Sequence, residues 1–273
     1  MKNPLSPRAK RVFCALFFGA LALALALSLL EVLLPPEADP LSLLPLAVRA
    51  TAAAAILFLL LSEGMLSLRP RIPRDGALLC AISLVFLVGI NNFPFLDLLA
   101  GRTSVTVTAP SLLVYTLTAL ATAAFEELLF RGLLFPLVCA RIIKREGKRD
   151  RRPFGGLLPP VLLSSALFSL LHLVNLAVAP VGDTLLQVAY TFGIGILASL
   201  LYLFTRSLLF PIAFHAIYNF GGLFLSHFGG RNDPATVTVV TTAALSLSCA
   251  AVCACALARY AGERAKIEKR QEK

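Results

Sequence analysis

The chain has 273 residues, of which 58% are hydrophobic and only 15% charged, with a mean hydropathy of +0.83 and a formal net charge of +10. A soluble globular domain runs nearer 45–50% apolar with about 25% charged, so the composition excludes an ordinary water-soluble domain. Apolar stretches of about twenty residues recur along the whole length, each able to cross a hydrocarbon core of about 30 Å as a helix. The expectation is an all-α, polytopic transmembrane helix bundle, one membrane domain over 1–273.

In chain order, the first candidate span, about 12–34, follows a basic stretch as a signal peptide would. Its long apolar run leads into LEVLLPPEADP without a small-x-small cleavage site, which predicts an uncleaved anchor. Spans follow at about 43–66, 76–96, 111–140, 157–178, 185–205, 207–228 and 236–258, giving about eight. LLPPEADPL and the segment from Asp97 to Pro110 read as outer-side turns, punctuated by Pro, Gly, Asp and Ser. RIIKREGKRDRRPF (141–154) reads as a cytoplasmic loop too short to fold alone. GIGILAS (193–199) offers a small-residue face suited to close helix packing; a nucleotide-binding reading of its G-x-G would need a preceding strand. Cys249, Cys253 and Cys255, spaced by four and then two, cannot all share one helical face, so they read as small packing residues rather than a metal cluster.

Alternate loops hold 21 of the 25 Lys and Arg residues. The positive-inside rule then places both termini in the cytoplasm and makes an odd number of spans inconsistent with the pattern. Those basic loops account for the net charge through contact with anionic headgroups, without a nucleic-acid partner. The setting is an integral, multi-pass membrane protein, with the plasma membrane as the expected location.

Strongly polar side chains within the spans fall in three segments: FEELLFR in the fourth, FSLLH in the fifth and FHAIYN in the seventh. A charge at mid-bilayer costs about 2.5–3.5 kcal/mol on insertion scales, and such residues usually mark function. Glu127 and Arg131 are four apart, so an intrahelical ion pair offsets part of that cost. Glu126 is rotated by about 100° from Glu127 and is left to face a cavity. His172 stands four after Phe168, and His215 four before Asn219, which sets imidazole and amide on one face. Pro211, one turn before His215, predicts a kink or opening near the site. Counted from the assigned cytoplasmic ends, Glu126, His172, His215 and Asn219 lie about eight to fifteen residues deep, so three helices are expected to converge on one polar pocket. Singly, the ion pair, each His and Asn219 could be packing or bridging groups; their shared depth favours a site. His227 is expected at the outer interface.

A carboxylate near an imidazole can activate water as a general base, and an imidazole with an amide donor can stabilise the oxyanion formed when water attacks an amide carbonyl. Alternatively, Glu126, His172 and His215 supply three ligands, the number a catalytic zinc uses. The residues leave metal-free and metal-assisted water activation both open.

EELLFR, FSLLH and HAIYN, in that order on separate apolar helices, resemble the E-E-x-x-x-R, F-x-x-x-H and H-x-x-x-N/D motifs of the CPBP intramembrane endopeptidases. That family, also called ABI, takes in the type 2 CAAX prenyl proteases and bacteriocin-processing relatives. The resemblance covers about 110–228 as the protease core. It implies an intramembrane endopeptidase acting on a membrane-associated or prenylated (CAAX-type) protein or peptide. In that reading Glu126 is the water-activating base helped by His172, His215 and Asn219 form the oxyanion hole, and Glu127 and Arg131 support the geometry. No cofactor is expected for the glutamic mechanism, which suits Asn219, a good donor and a poor zinc ligand; Zn2+ is the alternative. The rival classes are a proton-coupled transporter, which predicts internal repeats that the sequence lacks, and a non-proteolytic membrane scaffold.

Overall fold

The computed structural model describes residues 7–33, 43–62, 72–139, 158–229 and 236–271. The basic loop 141–154 and most of the turn LLPPEADPL lie outside the described residues. Among the described residues there are helices and no strands. They are α1 (Pro7–Leu33), α2 (Leu43–Ser62), α3 (Gly76–Asn91), the short α4 (Phe95–Leu99), α5 (Ala109–Glu127), α6 (Leu158–Leu171), α7 (Val181–Thr205), α8 (Leu209–Gly222), the short α9 (Phe224–Phe228) and α10 (Thr236–Gln271). A π-helical segment (Leu128–Leu134) continues α5, and a 3₁₀ segment (His172–Ala177) continues α6.

Four helical stretches are long and apolar enough to cross a membrane: Leu43–Ser62, Ala109–Cys139, Leu158–Ala177 and Val181–Thr205. Shorter apolar helices occupy Cys14–Leu27, Gly76–Asn91 and Val240–Ala256. These seven stretches fall on seven of the eight expected spans; the remaining one, 207–228, holds two shorter helices, α8 and α9. Large apolar side chains such as Phe18, Phe58, Leu87 and Leu113 point outward and are more than half exposed. On a protein in water such a surface would be a liability; against lipid it is solvated.

Local signals explain the helix starts. Asp75 accepts from Leu78 N–H at 3.0 Å and caps α3. Thr108 and Ser111 form a reciprocal capping box at α5, with Pro110 in the first turn. The expected span 207–228 is broken: α8 stops at Gly222 and α9 restarts after Leu223. Asn92 Nδ2 donates to the Tyr218 carbonyl at 2.8 Å and the Tyr115 hydroxyl donates to the Phe220 carbonyl, so side chains from the C-cap of α3 and from α5 take up the acceptors of the last turn. A Cβ at Gly221 would sit 2.6 Å from Phe93 N, so only glycine lets α8 end against the turn after α3.

Two packed layers meet at the site. One joins α3, α7, α8 and α10 through residues such as Val85, Leu201, Phe214 and Cys253. The other joins α1, α2, the α5–π unit and α6 through Ile56, Phe125, Leu129 and Phe168. In lipid, apolar burial supplies little drive between helices, so close packing of small residues and hydrogen bonds carry the association. Gly195 shows this: a Cβ there would lie 2.9 Å from Ser165 Cβ, so α6 and α7 touch almost backbone to backbone. The small-residue face read in GIGILAS is this contact. Cys249 and Cys253 are buried against α3, with their thiols near the Leu84 and Ala81 carbonyls at 3.7 and 3.9 Å, while Cys255 is exposed. Cys249 and Cys253, four apart, share the face against α3 and Cys255 lies off it, as their spacing requires.

Candidate active site

The α5 helix carries Glu126 and Glu127 at its end, where the backbone passes into the π segment that contains Arg131. Single π turns within α-helices frequently mark functional sites. Arg131 Nη1–H donates to Glu127 Oε1 at 3.0 Å, and both side chains are fully buried. This is the i,i+4 pair expected from the sequence. Arg131 Nη2–H donates to the Gly195 carbonyl at 2.8 Å, and its guanidinium lies 4.8 Å from the centre of the Phe168 ring. Three elements (α5–π, α6 and α7) thus hold one cation. The Ser164 hydroxyl donates to the Phe130 carbonyl at 3.3 Å and fastens the π segment to α6.

His215 on α8 completes the centre. Its Nδ1 lies 2.8 Å from Glu127 Oε1, and its Nε2 lies 3.6 Å from Glu126 Oε2. A carboxylate already accepting from Arg131 accepts again here, so Nδ1 carries the proton and Nε2 faces Glu126. Glu126 is the carboxylate with an opening, its side chain 20% exposed while that of Glu127 is sealed. Glu127 Oε2 and Arg131 Nε are buried with no hydrogen-bond partner among the described residues.

His172 begins the 3₁₀ segment. Its Nδ1 lies 3.2 Å from the Phe168 carbonyl, which can only accept, so Nδ1 carries the proton and Nε2 is bare. Phe168 is the common wall: its ring meets His172 edge to face at 5.3 Å, His215 at 5.7 Å and Phe130 at 5.2 Å.

The structure therefore brings together Glu126, Glu127, Arg131, His172 and His215. Asn219 lies one turn beyond His215 on α8, half-buried, and its side-chain amide makes no hydrogen bond to a described residue. His227, expected at an interface, is exposed in α9 and stacks on Tyr115 at 4.9 Å, away from this centre. Pro211 does not kink the chain: α8 starts at Leu209, so the proline occupies the first turn, where its missing N–H has no intrahelical partner to lose. The irregular backbone at the site comes instead from the π segment and the 3₁₀ segment. Sequence reasoning also passed over Phe168 as a site residue, although its place in F-x-x-x-H was the available signal. The second role of Glu127, on His215 Nδ1, joins residues 88 apart and left no local trace.

The proposed zinc ligands do not fit one ion as placed. Among the described residues no three His, Cys, Asp or Glu side chains are grouped so as to hold a metal.

Residues 108–221 match the family model described as Rce1-like, the type II CAAX prenyl endopeptidases. The motif resemblance holds. The matched segment runs from the cap of α5 to the end of α8 and contains all six expected site residues. No curated protein matches the chain, and no solved structure does. The Rce1-like match and the apolar helices support an integral membrane peptidase of the CAAX-protease class, with the lipid bilayer and a peptide substrate as its partners.

Proposed function

We propose that this protein is an intramembrane endopeptidase that hydrolyses a peptide bond of a membrane-associated, CAAX-type lipidated protein or peptide by metal-free activation of water. The observation that carries the reading is the placement of His215 between a sealed carboxylate and an open one, Glu127 at 2.8 Å and Glu126 at 3.6 Å. Glu126 accepts a proton from water as the water oxygen attacks the scissile carbonyl. The bare Nε2 of His172 accepts a hydrogen bond from the water's second O–H, which stays on the acid product, and aims the lone pair. The oxyanion receives an N–H from Asn219, whose amide has no hydrogen-bond partner among the described residues to give up. His215 donates from Nδ1 to Glu127, so its Nε2 serves the oxyanion hole beside Asn219 once that nitrogen too carries a proton. It becomes a donor at Nε2 only after taking the proton from Glu126, and from there that proton passes to the leaving amine as the C–N bond breaks. Glu127 and Arg131 hold His215 in the tautomer that permits this.

The same reading places the site in a single eight-span membrane domain, with both termini cytoplasmic and the plasma membrane as its location, as the alternation of basic loops indicates. The test is cleavage by purified protein in detergent of a mixed library of peptides and prenylated peptides, comparing wild type with Glu126→Ala, with and without a zinc chelator. Cleavage lost in the variant and retained with chelator supports the glutamic mechanism. Loss on chelation, restored by zinc, overturns it in favour of a metal site.

A further inference from the structure

The mechanism above asks His172 to keep one ring nitrogen bare and aimed, yet its helix changes pitch at that residue. From His172 to Ala177 the backbone is 3₁₀, with about three residues per turn, so positions 172 and 175 stand one above the other. Nothing in HLVNLA itself demands that tightening. An external tie is present at Asn175. Its Nδ2 donates to Gln187 Oε1 on α7 at 2.8 Å. The bond survives the usual ambiguity of amide orientation, since turning both groups exchanges donor and acceptor across the same gap. Asn175 is tied on its backbone side as well: its carbonyl accepts from Val178 N–H at 3.0 Å and Ala179 N–H at 2.8 Å, closing the turn into α7. Gln187 is braced in turn, its carbonyl accepting from the Thr191 hydroxyl at 2.7 Å.

We propose that the Asn175–Gln187 amide clasp is a positioning device that sets the His172 ring by holding the 3₁₀ turn against α7. The inference rests on the peptidase reading for its importance and on geometry for its existence. Eight residues after Gln187, the same helix presents the Gly195 carbonyl that accepts from Arg131. One continuous helix, α7, therefore registers both sides of the centre: the cation that fixes Glu127 and through it His215, and the turn that fixes His172. Neither amide touches the reacting atoms.

The experiment reads the histidines directly. The chain has only three, His172, His215 and His227, so ¹⁵N-histidine labelling of the full chain in micelles gives three resolvable rings, assigned with His→Gln variants. In wild type His172 is expected as a fixed Nδ1–H tautomer. In Asn175→Ala and Gln187→Leu that ring is expected to average between tautomers while His215 and His227 keep their signals. The exchanged pair Asn175→Gln with Gln187→Asn preserves the total reach and is expected to restore it. In cleavage, the single variants lose about tenfold or more in kcat with KM unchanged, as misplacement of an aligned group does, and the exchanged pair recovers it. A His172 spectrum unaltered in both single variants overturns the proposal. So does a simultaneous shift of all three rings, which would make the clasp a general prop of the fold. If no peptide is cleaved even by wild type, the peptidase reading fails while the ring spectra still decide the clasp.

Discussion

His215 and His227 sit on neighbouring helices a short distance apart in sequence, both beside aromatic rings, and their surroundings differ in one respect that matters. At His215 every polar contact has a charged or hydrogen-bonded continuation, from Glu126 through the imidazole to Glu127, Arg131 and the Gly195 carbonyl. At His227 the ring rests on Tyr115 and Phe228 and opens to the outside. The aromatic cluster around it, Tyr115 with Phe224 and Phe228, finishes a helix end; the polar centre joins two carboxylates, an imidazole and a guanidinium. An imidazole in a membrane protein thus takes its meaning from what lies on its two nitrogens, not from depth or aromatic company.

Substitutions can break that contrast. The largest effect is expected from Glu126→Gln, which keeps the shape and removes the base: kcat should fall by about 10²–10⁴-fold in the cleavage assay, with thermal stability little changed. A variant as fast as wild type would remove Glu126 from the chemistry. Arg131→Leu comes next. It leaves the Glu127 charge sealed without its partner, which costs about 3–5 kcal/mol and should lower the unfolding temperature in detergent markedly. If stability barely moves, the buried pair is not what holds the centre. Gly195→Ala forces a methyl into contact with Ser165 and is expected to cost about 1–3 kcal/mol of stability, with part of it recovered in the double variant with Ser165→Gly. Additive losses in that double variant would mean the α6–α7 crossing does not depend on this contact. The smallest effect belongs to His227→Ala, expected to leave kcat/KM unaltered and stability within about 0.5 kcal/mol. A lost activity there would erase the distinction between the two histidines.

Much of the centre could be read from residue spacing. Glu127 and Arg131, four apart in an apolar run, could hardly avoid each other on a helix, and the divergence of Glu126 from Glu127 followed from the helical turn. The small residues 193–199 predicted a close crossing because lipid-embedded helices approach only where side chains are small. What stayed hidden was set by contacts between distant segments. The bond from His215 to Glu127 depends on how α8 lies against α5. The end of α8 at Gly222 depends on Asn92 and Tyr115, which come from other helices. Pro211 misled because a proline is disruptive only inside a helix, and where α8 begins was not legible from FPIAFHAIYN. The π segment gave no compositional sign, since LLFRGLL suits an α-helix equally well.

That π segment also bears on how length changes can be tolerated. A π turn accommodates roughly one residue more than the α-helix around it. Upstream, Phe125 packs with α1 and α2; downstream, Phe135 packs against Tyr202 of α7 at 6.1 Å. Beyond the π segment Phe135 thus reaches the layer of α7, while Leu137 and Val138 still border the layer of α1 and α2. Removing a single residue between Gly132 and Leu134 would restore a regular helix and turn Phe135–Cys139 by about 100° away from α7. The segment works as a phase shifter, and in this stretch of chain the number of residues is as much a part of the design as their identity.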